Sequence, residues 1–209
     1  RIGAANVLEQ ILESSESEPC PPALGAAVCL GLARHRDVRV NVLMPYADTL
    51  EPFAAWHCQL WAESLGKDGN GTTPVRALGP IDQHSQLQLY LDGPKDKIFT
   101  IIETATSGKG HSIPDLGVVP APIEYLMGNR IGDLVAAQQL ATRSTLIEHN
   151  CPTRFFSVPR IDERSMGSLF MHFMLETIIT ARMLGIDAFN QPAVEKGKAR
   201  TRLSLSNLS

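Results

Sequence analysis

Val7, Leu8, Ile11 and Leu12 recur at helical spacing, so residues 4–14 read as a helix with one apolar face. The stretch from Ser14 to Pro22 is polar and proline-containing and reads as a loop. Pro22 opens a second helix that carries Ala23, Ala27, Leu30 and Leu32 to about His35. Val38 to Met44 is a β-branched, apolar run closed by Pro45, as expected of a strand buried on both faces. Asp48 or Thr49 then caps a helix to about Ser64, with Leu50, Phe53, Ala54, Leu60 and Trp61 as its apolar stripe. Gly66 follows where a helix C-cap glycine belongs.

The second half repeats this alternation. Pro74 to Leu78 reads as a short strand, and Asp82 as the N-cap of a helix to about Leu91 that Gly93-Pro94 stops. Ile98 to Ile102 is a strand, Thr104 to Pro122 is loop-rich, and Ile123 to Glu148 is a long helix with Gly128 and Gly132 as points where it could break. Phe155 to Val158 is a strand and Ser165 to Leu184 a helix; Pro192 starts a last helix, with a polar, frayed tail over 199–209. Strands alternating with helices predict an α/β fold: a three-layer αβα sandwich around a mostly parallel sheet, in a single domain. The ligand site of such a sheet lies beyond the carboxyl ends of its strands, which is where the loop after Leu78 and His84 belong. The place of Glu63 is less defined by this argument.

Composition narrows the class. The chain has 209 residues, 44% of them hydrophobic and 20% charged, with a net charge of -3. That suits a soluble globular protein and argues against a nucleic-acid partner, whose footprint is basic; the exception is the short basic stretch from Lys196 to Arg202. No apolar run has the length of a membrane span. Cys20, Cys29, Cys58 and Cys151 are scattered without metal or disulfide spacing, which fits reduced thiols and a cytoplasmic location. The chain starts at Arg1 without a signal-peptide layout and reads as a piece of a longer polypeptide.

Four residues could carry chemistry. Glu63 falls in the last turn of its helix, where the backbone dipole disfavours a charged carboxylate; Trp56, two turns earlier, could exclude water and act the same way. A glutamate so tuned suits proton abstraction near neutral pH, and a solvated glutamate at a helix end is the ordinary alternative. His84 follows the Asp82 cap, where backbone N–H groups favour the neutral imidazole and so proton exchange; a structural histidine is the alternative. Gln191 and Lys198 are seven residues apart, nearly two helical turns, so both could face one phosphate or sugar oxygen, or simply lie on an amphipathic helix. The other histidines lack comparable surroundings. Ser107-Gly108-Lys109-Gly110 lacks the spacing of a phosphate loop, and no His or Cys pair has metal-ligand spacing.

Three blocks in order resemble segments of the glucose-6-phosphate isomerase family: Glu63-Ser64-Leu65-Gly66-Lys67, Asp82-Gln83-His84-Ser85, and Phe189-Asn190-Gln191-Pro192-Ala193-Val194-Glu195. Ala47-Asp48-Thr49-Leu50 and Leu87-Gln88-Leu89-Tyr90 add to the likeness, which covers nearly the whole chain. The last block departs from the family's Phe-Asp-Gln-x-Gly-Val-Glu pattern at Asn190 and Ala193. The resemblance implies the second of two sugar-isomerase (SIS) domains and interconversion of glucose 6-phosphate and fructose 6-phosphate through an enediol, without a cofactor. By position, Glu63 matches the base between C1 and C2, and His84 the ring-opening acid/base that reaches the site from the other subunit of a homodimer. Lys198 matches a lysine assisting ring opening, and Gln191 a substrate contact. The family's first SIS domain, with its Ser/Thr-rich phosphate loop and an arginine facing the developing charge, has no counterpart in these residues. The chain alone is therefore expected to be inactive. Two other readings stay open: a phosphosugar-binding module without turnover, and an interaction role in which apolar helices form a dimer surface.

Overall fold

The computed structural model describes residues 1–14, 20–115 and 117–207. Most of the loop expected between the first two helices, at 15–19, lies outside the described residues, as do 116 and 208–209. Among the described residues the α-helices are α1 (Ile2–Glu13), α2 (Pro21–His35), α3 (Glu51–Leu65), α4 (Gly79–Ser85), α5 (Leu87–Asp92), α6 (Ile131–Glu148), α7 (Glu163–Leu184) and α8 (Pro192–Ser206). The strands among the described residues are β1 (Val40–Pro45), β2 (Thr73–Arg76), β3 (Lys97–Thr104) and β4 (Thr153–Val158). They form one sheet in the order β2-β1-β3-β4, and every neighbouring pair is parallel.

Alternation along the strands builds the two cores. Val42 and Met44 of β1 with Phe99 and Ile101 of β3 point to one face, where Tyr90 of α5 and Leu146 of α6 cover them. Leu43 and Ile102 point to the other, against Phe53 and Ala54 of α3 and Leu169 and Phe173 of α7. Trp61, Leu65, Val38 and Ile98 extend that second core toward the end of the sheet where the strands begin. The outcome is the expected αβα sandwich, with α1 and α2 packed on α7 outside it.

Three expectations change. Asp82 is not an N-cap: α4 starts three residues earlier at Gly79, and Leu78 is its N-cap. The Asp82 side chain folds back from within the helix to accept the Leu78 N–H at 2.6 Å, so it still serves a helix-start donor. The helix expected to run to Leu91 is broken at Gln86 into α4 and α5. The long helix from Ile123 becomes a 3-10 turn over Ala121–Leu126, then Gly128 at φ 74, then α6 from Ile131. A bridge between Ser112 and Arg130 holds the break. Beyond Arg200 the backbone is helical to Ser206, with every α8 residue that is described exposed.

Candidate active site

Glu63 is half-buried in the last turn of α3 and accepts two side-chain hydrogen bonds. Gln59, one turn back, donates to Oε1 at 3.1 Å, and Gln191 donates to Oε2 at 2.8 Å. The second bond joins residues 128 positions apart. It brings the N-cap of α8 against the C-terminal turn of α3. Between them lies an open groove of about 430 Å³, whose walls include Glu63, Gly66, Lys67, Gln191 and Ala193. Lys67 donates to the Asp187 carbonyl and ties the loop after α3 to the segment that leads to Gln191.

Gly66 is the C-cap as expected, but not for a left-handed backbone: its φ is -76°. A Cβ there would lie 2.8 Å from the Ala62 carbonyl oxygen, so the close approach selects glycine. Trp56 does not act as a lid on Glu63. Its ring packs against Phe53 and Phe170, with centroids at 5.4 and 4.5 Å, and belongs to the core.

The structure brings two of the four sequence candidates together and sets the other two apart. Gln191 meets Glu63; Lys198 is two turns further along α8, where its ammonium pairs with Glu195 at 2.7 Å. His84 is exposed and lies in the last turn of α4, not at a helix start, beside a groove with Gln83, Gln138 and Thr142. α3 runs back from the end of β1 to the loop before β2, so Glu63 stands at the sheet end where strands begin. His84 follows the other end of β2, on the face covered by α4, α5 and α6. One chain thus keeps the two groups on opposite faces and at opposite ends of its sheet.

Around His84 the backbone is held by Asp82. Burial pushes the Asp82 carboxyl up, but hydrogen bonds from Leu78, Gln86 and Ser85 outweigh it and hold the group below the ordinary carboxylate range. Gln83 accepts from Tyr46 at 2.8 Å and from Thr142 at 3.2 Å, fixing α4 against α6.

Sequence reasoning missed Gln59, whose i, i+4 spacing to Glu63 on α3 was the available signal. It also missed a buried polar cluster beneath α7. Arg154 of β4 donates to Glu176 at 3.0 Å and to Thr100 at 2.8 Å, His172 stands 3.2 Å from Glu176, and the Cys29 thiol faces the same carboxylate. Burial pushes Glu176 up, yet the Arg154 guanidinium and His172 prevail and hold it below the ordinary range. Burial likewise pushes the Cys29 thiol up to about 12, so it is inert as a nucleophile. All four cysteines are unpaired. Among the described residues no His, Cys, Asp or Glu cluster has the form of a metal site, and no helix is long and apolar enough to cross a membrane.

No family model matches the chain. The probable glucose-6-phosphate isomerase of Halobacterium salinarum is 47% identical over 167 residues, which are 80% of this chain and 38% of that protein. The glucose-6-phosphate isomerase of Rubrobacter xylanophilus is 37% identical over 199 residues, 95% of this chain and 46% of that one. The crystal structure of hypothetical protein TT0462 from Thermus thermophilus matches with a TM-score of 0.84 at 33% identity, over 97% of this chain and 49% of its own. A glucose-6-phosphate isomerase from Chlamydia trachomatis shares the fold, with a TM-score of 0.75 at 21% identity, over 99% of this chain and 42% of its own. The chain spans less than half the length of the relatives it matches.

Proposed function

We propose that this chain, kin to a segment of the glucose-6-phosphate isomerases over most of its own length, is the carboxy-terminal part of such an enzyme and supplies the base for proton transfer between C1 and C2 of a hexose 6-phosphate. The observation that carries the reading is the Glu63–Gln191 hydrogen bond. It joins two of the three resembling blocks into one groove, with a carboxylate oriented at its wall.

A carboxylate held by an amide on each oxygen has a fixed plane and limited rotation. That geometry suits a base that takes a proton from C2 and returns it to C1 while the carbonyl character moves the other way. Each bound amide leaves its oxygen a further lone pair for the proton. The enediolate formed between the two steps needs positive charge or hydrogen-bond donors near its oxygens. Lys67 lies at the groove and Lys198 on the adjoining helix; a preceding SIS domain is the expected source of the phosphate loop and of the arginine. His84 serves the site of a second copy in a homodimer, because its own chain holds it away from Glu63. No cofactor enters this chemistry, and a cytoplasmic enzyme is consistent with four free thiols.

The test is Glu63→Gln in the polypeptide that carries this chain. Glutamine keeps the size and the contact with Gln191 but cannot accept the proton. Turnover of fructose 6-phosphate is expected to fall by about 10²–10⁴-fold with KM little changed. Unchanged turnover would remove Glu63 from the mechanism. The 209-residue chain by itself is expected to show no turnover, because positioning and charge stabilisation act together.

A further inference from the structure

A second cavity lies behind the loop that carries Lys67. It measures about 120 Å³, room for a ligand of several heavy atoms rather than one water, and opens between α2, the end of α3, the loop before β2 and α7. Gly69 to Thr72 form its wall, while Gly66, Lys67 and Asp68 of the same loop line the Glu63 groove. The two spaces are back to back.

The chemistry of this cavity differs from that of the Glu63 groove. Trp61, Leu65, Leu30 and Leu184 give it an apolar floor. Two guanidinium groups, Arg34 and Arg39, stand at it. Arg39 is compensated: Asp37 accepts from its Nε at 2.6 Å and pairs with Nη2 at 2.5 Å. Arg34 has no hydrogen-bond or ion-pair partner among the described residues. The Thr72 hydroxyl accepts the Trp61 indole N–H at 3.0 Å and keeps its own hydrogen free to donate.

We propose that this cavity binds a small organic monoanion, a carboxylate with a short branched apolar tail, with the carboxylate on Arg34 and the tail on Trp61, Leu65 and Leu184. One uncompensated cation sets one negative charge. The apolar floor takes a hydrocarbon tail, while Thr72, Asn70 and Thr180 at the same cavity place polar groups beside it. The site is separate from the Glu63 groove in position, and the ligand proposed for it differs in class.

The chain has two tryptophans, and Trp56 lies in the core with Phe53 and Phe170. The Trp61 indole N–H signal in nitrogen-15 spectra of the protein thus reports on the cavity, with Trp56 as internal reference. Isovalerate is the probe; 3-methylbutan-1-ol and inorganic phosphate carry its tail and its charge separately. The expected result is a saturable shift of the Trp61 signal alone with isovalerate, half-complete in about the millimolar range. Arg34→Gln, at an exposed position, should raise that midpoint by about tenfold or more and leave the spectrum of the free protein otherwise intact. The proposal is overturned if isovalerate gives no saturable shift up to about 50 mM, which is well above the millimolar scale. It is equally overturned if the alcohol or phosphate acts as well as isovalerate, if Trp56 moves alike, or if Arg34→Gln leaves the midpoint where it was. Loss of this binding leaves the Glu63 turnover test untouched, so the two readings fail separately.

Discussion

Glu63 gains its orientation from two amides of different origin. Gln59 comes with the helix and is local; Gln191 comes only with the fold. His57, on the same helix, is the opposite case: it is wholly buried between Trp61 and Phe173 and neither ring nitrogen has a partner. Burial pushes its pKa down to about 4; Glu176 opposes this and Arg154 adds to it. In the unfolded chain a histidine titrates near 6.5. Above that value neither state binds the proton and the titration of His57 does not change stability. Between about 6.5 and about 4 the unfolded chain takes the proton and the folded one does not, so stability falls as pH falls, by about 3 kcal/mol in all. Urea denaturation between pH 7 and pH 4 should show this slope, and His57→Phe should remove His57's share of it. Equal slopes in both proteins would contradict the burial argument.

At the scale of elements, α2 meets α7 at Gly25. A Cβ there would lie 2.6 Å from Glu176 Oε2 and 2.7 Å from Arg154 Nη1. Gly25→Ala should therefore wedge open the buried pair and cost about 2–4 kcal/mol, read as a lower urea midpoint at an unchanged m-value. An unshifted midpoint would mean that the cluster yields freely. This contact was not legible in the sequence, because Gly25 lies within an unremarkable helical pattern and its neighbour in space is on α7. The long elements were legible: α2, α3 and α7 each carry a sustained apolar stripe, and β1 and β3 are mainly apolar runs with Asn41 and Thr100 inside them. Where local signals misled, tertiary structure had overridden them. Asp82 has the chemistry of a cap but performs it from inside α4. The periodicity after Ile123 continued through a segment that Gly128 and the Ser112–Arg130 bridge turn aside. Trp56 lies two turns from Glu63 on the helix, yet the aromatic core of Phe53 and Phe170 claims it.

For the whole molecule, the blocks that carry the family resemblance do not converge in one chain. Glu63 and Gln191 meet; Lys198 stays on an exposed helix; His84 faces away, across the sheet. The sequence marked residues that could carry chemistry but could not show which of them share a groove, since that depends on how α3 returns along the sheet and where α8 starts. A parallel sheet explains the separation directly, because successive βα units place residues alternately before and beyond the strands. If sites are completed between copies, each must draw Glu63 from one polypeptide and His84 from another. Mixing decides this. Full polypeptides bearing Glu63→Gln and His84→Gln, each inactive alone, are unfolded, combined in equal amounts and refolded. Sites shared between copies give a mixed dimer with one intact site, so turnover should return to roughly a quarter of the unmodified enzyme's, half the dimers being mixed and half their sites whole. Turnover no higher than that of either variant alone would contradict the account.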